Sequence, residues 1–267
     1  MASAYTHCMI IRASVAELPD DRDRFELAWA SLIQHVSFAE SDVVLLPELP
    51  ASAWFGVTQD ATDESWKRVV AEHDDLLANL SAFGNAIVIG TRAKLTDGVR
   101  HNVAFYWTRE TGVIDMHPKA ILPEDAGFYE QSWYSAGPIN AKPVQIRNLK
   151  VGVLICSELM ATDLARQLGN AGAQIIAVPR ASQLHPRWEV ASRMAAITSG
   201  AYVLTSNRVG LGIDGKTEFG GRAMIVEPDG HLLGETGQGK TFASAPLDLQ
   251  AVETARTTYP RYLKYGF

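Results

Sequence analysis

The chain has 267 residues, 47% hydrophobic and 20% charged, with a net charge of −6 and acidic and basic residues mixed along its length. That is enough chain to bury a large core without disulfide or metal staples, and α/β folds of this size are routinely single units. No basic run suggests nucleic acid, no stretch approaches the ~20 apolar residues that span a bilayer, and Met1 to Ser14 lacks a signal-peptide pattern, so a cytoplasmic protein without membrane contact is expected.

Apolar runs of strand length recur at Cys8–Ile11, Val43–Leu46, Ala86–Ile89, Val103–Trp107, Val151–Ile155, Ile175–Val178, Tyr202–Thr205 and Ala223–Val226. Between them lie stretches with helical spacing. Asp20–Val36 carries Phe25, Ala28, Trp29, Leu32, Ile33 and Val36 at three- and four-residue steps, and Trp66–Phe83, Ala161–Ala171 and Trp188–Ser199 read the same way. Near-continuous apolar strands alternating with helices indicate an α/β protein whose sheets are covered by helices. Two regions depart from simple alternation. Strands between Ala86 and Ile114 follow one another through Thr96-Asp97-Gly98 and Glu110-Thr111-Gly112, and Ala223–Leu233 reads as a hairpin across Pro228-Asp229-Gly230. A layered sandwich with mixed sheets fits better than a doubly wound nucleotide fold. No linker, repeat or low-complexity tract divides the chain, so one domain over 1–267 is expected. The polar tail after Gln250 is expected to pack over the surface or a partner subunit.

The two cysteines, Cys8 and Cys156, make no disulfide framework. Cys156 follows the strand Val151-Gly152-Val153-Leu154-Ile155 and precedes a helical pattern. A strand-to-helix turn lies at the sheet edge where α/β proteins place ligands, and a helix start favours thiolate over thiol. The position fits a nucleophile, and equally a buried core cysteine. A cysteine nucleophile needs a base, and the usual base is histidine. Of the seven histidines, His101, His117 and His185 lie in loops or at strand ends without an evident orienting neighbour. Glu48 is different. It ends the apolar strand Val43-Val44-Leu45-Leu46 between Pro47 and Leu49, where a carboxylate is costly to ionise unless it serves a partner. Lys119 lies between Ile114-Asp115-Met116-His117-Pro118 and Ala120-Ile121-Leu122-Pro123, an unusual setting for a surface lysine.

Taken together, Leu45-Leu46-Pro47-Glu48, His117-Pro118-Lys119-Ala120-Ile121-Leu122-Pro123 and Val153-Leu154-Ile155-Cys156-Ser157-Glu158 resemble, in order and separation, the three motifs of the nitrilase (carbon–nitrogen hydrolase) superfamily. The resemblance extends to about Tyr262. Gly172-Ala173-Gln174-Ile175-Ile176, Ser206-Asn207-Arg208-Val209-Gly210, Glu227-Pro228-Asp229-Gly230, Gly127-Phe128-Tyr129-Glu130 and Trp133-Tyr134-Ser135-Ala136-Gly137 look like its amidase and N-carbamoyl amidohydrolase branches. It implies a four-layer αββα sandwich with mixed sheets, assembled as a homodimer or higher homo-oligomer. It also implies Glu48 as general base, Lys119 and the Ser157 backbone N–H as oxyanion stabilisers, Cys156 as nucleophile and Glu130 as a positioning glutamate. This set performs acyl transfer through a thioester without cofactor or metal. Trp54, Phe55, Trp133 and Tyr134 are expected to supply aromatic walls.

Two features depart from the family pattern. Ser157 stands where many members carry tryptophan or tyrosine, and Pro179-Arg180-Ala181-Ser182 replaces Pro-Thr-Ala or Pro-Gly-Ala. Arg180 is read either as binding a substrate carboxylate bidentately or as a structural partner of Glu158 or another acid. The expected activity is hydrolysis of a small amide or N-carbamoyl compound. The alternatives are a nitrilase acting on C≡N and a non-catalytic binding or scaffold relative. For assembly, the helices after Cys156 and Trp188, with Met194, Ala195 and Ile197 exposed, are the expected contact.

Overall fold

The computed structural model describes residues 10–263. Its strands are β1 (Ile10–Pro19), β2 (Val43–Leu45), β3 (Ile87–Thr96), β4 (Val99–Thr108), β5 (Gly112–Pro118), β6 (Glu124–Asp125), β7 (Phe128–Tyr129), β8 (Val144–Ile146), β9 (Leu149–Val153), β10 (Ile175–Arg180), β11 (Tyr202–Leu211), β12 (Glu218–Gly220), β13 (Met224–Val226), β14 (Leu232–Glu235) and β15 (Phe242–Asp248). The helices are α1 (Arg22–Phe38), α2 (Asp63–Ala78), α3 (Glu130–Trp133), α4 (Thr162–Asn170), α5 (Pro186–Ser199) and α6 (Leu249–Thr257). Local chemistry sets several of their ends. Asp21 caps α1 by accepting from Arg24 N, Thr62 and Ser65 form a reciprocal capping box on α2, and Gly200 ends α5 in the left-handed region at φ 68°.

Apart from the short β6–β7 ribbon, the strands form two mixed sheets, with β12 pairing on β11 at the rim of the second. In one, β15, β1, β2, β3, β4 and β5 lie side by side, with β1, β2 and β3 parallel and the outer pairings antiparallel. In the other, β8, β9, β10, β11, β13 and β14 do so, with β9, β10 and β11 parallel. The two are joined where the end of β1 pairs in parallel with β11, Glu17 opposite Asn207.

Three apolar layers follow from the alternation of side chains along these strands. Val15, Leu45 and Ile89 of the first sheet meet Val153, Ala177 and Leu204 of the second in the central layer. Phe25, Leu32 and Val36 of α1 cover Val44, Leu46, Val88 and Phe105 on the outer face of the first sheet. Leu164 and Leu168 of α4, with Ala195 and Ala196 of α5, cover Ile176, Val178 and Val203 on the outer face of the second. The order is therefore helix, sheet, sheet, helix, and each fully buried aliphatic side chain contributes roughly 1.5–3 kcal/mol. The two helices on the second sheet cross closely at Gly169, where a Cβ would lie 2.2 Å from the Ser199 carbonyl oxygen.

The structure extends several expected elements. β1 runs to Pro19, β3 to Thr96 and β11 to Leu211, past the point where the apolar run gives way to polar residues. Cys8 lies outside the described residues. On α5, Ala195 is buried in the outer core rather than exposed, because it faces the sheet; Val190 and Met194 carry the exposed apolar surface. Leu249, Val252 and Ala255 of α6 are buried, and Arg261 beyond it donates to the carbonyls of Ile197 and Pro228.

Candidate active site

Loops at one edge of the paired sheets carry the chemistry. Glu48 lies just after β2, Lys119 just after β5, Glu130 begins α3, and Cys156 opens the short 3-10 helix Cys156–Met160 after β9. All four are buried. The Lys119 ammonium donates to Glu48 Oε1 at 2.7 Å and to both Glu130 oxygens at 2.8 and 2.5 Å. Asn102 Nδ2 donates to the same Glu48 oxygen at 2.8 Å and approaches the Tyr134 hydroxyl at 3.5 Å, while Tyr134 donates to Glu130. Glu48, Asn102, Tyr134, Glu130 and Lys119 thus close a ring of polar contacts beside the thiol.

Backbone geometry places these groups. Cys156 has φ 47°, in the left-handed region that costs a non-glycine residue of order 1–3 kcal/mol, and its Sγ lies 3.8 Å from the Ala181 carbonyl. Glu48 N donates to the Arg180 carbonyl at 3.1 Å, which ties the Glu48 loop to the end of β10. Arg208 holds the other side of that loop. Its guanidinium donates to the carbonyls of Glu48 at 3.1 Å, of Ser52 at 3.0 Å and of Leu49, and pairs with Asp20. Behind Lys119, Gly137 packs on Pro118 so closely that a Cβ would lie 2.2 Å from the proline ring.

Glu158 joins two of these loops. Its buried carboxylate accepts from Ala120 N at 2.7 Å, Ile155 N at 2.7 Å and His117 Nε2 at 2.9 Å. Each of these donors lies within two residues of Lys119 or Cys156. The Ser157 hydroxyl adds a bond to the Ile121 carbonyl at 2.5 Å.

The electrostatics follow from burial and like charge. Burial pushes the Cys156 thiol up, the Glu48 charge pushes it further, and Lys119 opposes both. The thiol is therefore protonated at rest, which corrects the expectation of a thiolate favoured by a helix start. The turn it opens is too short for a helix dipole to offset burial beside a carboxylate. Burial lowers the Lys119 pKa, but Glu130 and Glu48 outweigh it and hold the ammonium charged. Burial also raises Glu130 to about 7, opposed by Lys119 and reinforced by Glu48.

Cys156 and Glu130 open onto a cavity of about 320 Å³ whose walls include Phe128, Met160 and Trp188 and whose rim includes Asp125 and Arg187. Ser157 lines it as expected. Trp54 and Trp133 do not. Their indoles donate to the carbonyls of Gly127 at 2.9 Å and Thr58 at 2.6 Å, inside an aromatic cluster with Phe55 behind the cavity wall. Tyr134 is buried against Glu130 instead of facing the cavity. Arg180 is not on the cavity either, nor paired with Glu158. Its guanidinium donates to Ser182 Oγ at 3.2 Å and to the carbonyls of Gly221 at 3.5 Å and Arg222 at 2.7 Å, with Trp188 stacked at 5.1 Å. Asn102 and Asp20 were not singled out from sequence; His117 was weighed there without an orienting neighbour, which the structure supplies as Glu158, and Glu158 was considered only as a partner of Arg180. The sequence signal for Glu158 was its place two residues after Cys156. Among the described residues, no cluster of His, Cys, Asp and Glu is placed to hold a metal ion, and no helix is long and apolar enough to cross a membrane.

A buried carboxylate, ammonium and thiol thus converge at loop ends on an αββα frame. The sequence model of the carbon-nitrogen hydrolase family matches residues 13–257, and the chain belongs to that family of enzymes acting on C–N bonds. It is 27% identical over 227 residues to a Staphylococcus aureus protein named "Hydrolase in agr operon", covering 83% of this chain and 84% of that one. Its fold matches the crystal structure of a carbon-nitrogen hydrolase from Helicobacter pylori G27 with a TM-score of 0.85 at 22% identity, over 95% of this chain and 94% of the other. It also matches a mutant amidase from Nesterenkonia sp. AN1, which shows covalent addition of the acetamide moiety of fluoroacetamide at its active-site cysteine. There the TM-score is 0.76 at 18% identity, over 91% and 92% of the two chains.

Proposed function

We propose that this enzyme hydrolyses the C–N bond of a small non-peptide amide or N-carbamoyl compound through a thioester on Cys156. The observation that carries the reading is the buried Lys119 ammonium bridging Glu48 and Glu130 beside a thiol that opens onto the cavity. A thiol held protonated must lose its proton as it attacks, and Glu48 is the base within its electrostatic reach. Sulfur adds to the carbonyl carbon, the proton passes to Glu48, and the oxyanion is stabilised by Lys119 and the Ser157 backbone N–H. Collapse breaks the C–N bond, and Glu48 returns the proton to the departing amine or ammonia. Water, deprotonated by Glu48, then attacks the thioester and releases the acid, restoring the thiol. Glu130 keeps Lys119 in place and orients the substrate nitrogen. The adduct on the cysteine of the Nesterenkonia amidase supports a covalent route.

The cavity volume limits substrates to small molecules. The reading further takes the chain as one domain that pairs with its own copy through the exposed faces of α4 and α5. A screen of small aliphatic amides and N-carbamoyl amines, read by ammonia release with Cys156→Ala as control, tests it. Turnover with Cys156→Ala equal to wild type, or a complete absence of turnover across both classes, counts against it.

A further inference from the structure

Arg180 is the residue by which this site departs furthest from an ordinary buried ion-pair network. It is 2% exposed, yet no carboxylate pairs with it among the described residues; its partners are two carbonyls and one hydroxyl, and its Nε has none. Stranding a charge in the interior in this way is expensive, and buried cations normally sit beside an anion. The space next to the guanidinium is about 10 Å³, enough for no more than one water, so no substrate carboxylate reaches it.

Its surroundings point to the reacting atoms. The Arg180 carbonyl accepts from Glu48 N, the next carbonyl, of Ala181, lies against Cys156 Sγ, and its guanidinium rests on Trp188, which lines the cavity. At the thiol, Lys119 balances Glu48 while Glu130 holds its proton, and that balance is lost as Glu130 ionises or sulfur attacks. Glu48 and Glu130 bring two negative charges when ionised, and Lys119 brings one positive. Attack by sulfur concentrates further negative charge there.

We propose that Arg180 is a positioning residue that acts by its field: a buried guanidinium that never touches substrate and stabilises the anion developing at Cys156. This rests on Cys156 being the nucleophile. Burial lowers the guanidinium pKa to about 10, against the pull of Cys156, so the charge persists at neutral pH. Glu48, Lys119 and Glu130 surround Cys156, Asp125 and Arg187 line the same cavity, His185 lines both that cavity and the space at Arg180, and Arg222, held by Glu189 and Glu235, lies beside Arg180.

The test is the pH dependence of Cys156 alkylation by iodoacetamide in wild type, Arg180→Gln and Arg180→Lys, with the adduct located by mass spectrometry. Glutamine keeps a donor for the carbonyls but removes the charge; lysine keeps the charge. The expected result is an Arg180→Gln profile moved up by about one pH unit, hence about ten-fold slower alkylation at lower pH, with Arg180→Lys close to wild type. An Arg180→Gln profile lying on the wild-type one, or equal displacement in both variants, overturns the inference and leaves the hydrolase reading standing. If Arg180→Gln does not fold, Arg180→Met takes its place: a profile displaced upward while Arg180→Lys stays with wild type supports the field, and an unmoved Arg180→Met profile refutes it. A wild-type Cys156 that resists alkylation at every pH while Cys8 reacts removes the nucleophile itself, and both readings fall together.

Discussion

Replacing Glu158 by glutamine tests whether the loops bearing Lys119 and Cys156 are held in register by one carboxylate. Three N–H groups converge on its two oxygens, from Ala120, Ile155 and His117. Glutamine keeps the shape, loses the charge, and turns one acceptor into a donor. At least one buried N–H then faces another N–H. A hydrogen bond to a charged group is worth about 1.5–3 kcal/mol, so losing one and weakening the others costs about 3 kcal/mol. For a chain of this size each kcal/mol lowers Tm by about 2–4 °C, giving a fall of roughly 6–12 °C. The catalytic effect is separable from the loss of stability. Glu158 touches no substrate, so KM should change little, whereas looser placement of Lys119 against the thiol should lower kcat by about ten- to a hundred-fold at a temperature where the variant is fully folded. Thermal unfolding by circular dichroism and steady-state ammonia release measure the two. Ser157→Ala, which removes one neutral bond to the Ile121 carbonyl, is the mild comparison. A Glu158→Gln protein that melts within about 1 °C of wild type and keeps its kcat refutes the latch.

Cys156→Ala, Glu48→Gln and Lys119→Ala should each abolish turnover, and because the three act as one unit, the Glu48→Gln/Lys119→Ala double variant should be no slower than the worse single; substantial activity in Glu48→Gln identifies another base. Glu130 has its pKa raised in the fold to about 7 by burial, so the folded state holds a proton there that the unfolded chain releases near its ordinary value of 4.5. Its contribution to stability is thus fully present below about pH 4.5 and declines as pH rises through about 7, and Glu130→Gln should remove that slope from chemical denaturation curves taken across the range; an unchanged slope contradicts the assignment. For the proposed assembly, light scattering at micromolar concentration should return at least twice the chain mass of 29.1 kDa, and a monomer counts against it.

The helical layers and parallel strands were legible because their apolar periodicity is produced by the packing itself. Phe25, Leu32 and Val36 recur at helical spacing since one face of α1 lies on a sheet, and Ile175–Val178 is continuously apolar since β10 is covered on both sides. The ends of β1, β3 and β11 were not legible. Beyond Val15, β1 continues through Glu17, and β11 continues through Asn207 and Arg208, where polar side chains serve the site rather than the core. There the backbone ladder continues while the side-chain signal for a strand stops.

The candidate site divides along the same line. Glu48, Lys119, Cys156 and Glu130 could be read because each stands in a motif whose neighbours have a shape of their own. Arg180 could be placed at a strand end because it follows the apolar run Ile175–Val178, yet its side-chain direction could not. Three backbone carbonyls of one loop accept from Arg208, two adjacent ones from Arg180, and two backbone amides donate to Glu158. Partners of this kind carry no side-chain identity, so no pattern in the sequence announces them. They also explain why a site with so many buried charges can stand: much of the solvation lost by Arg208, Glu158 and Arg180 is returned by peptide groups that loops, unlike strands and helices, leave free. Irregular backbone around the thiol is therefore part of the electrostatic design. Glu48 and Lys119 satisfy each other directly, while Arg180 is held by two carbonyls and the Ser182 hydroxyl, and Glu158 by two backbone amides and His117.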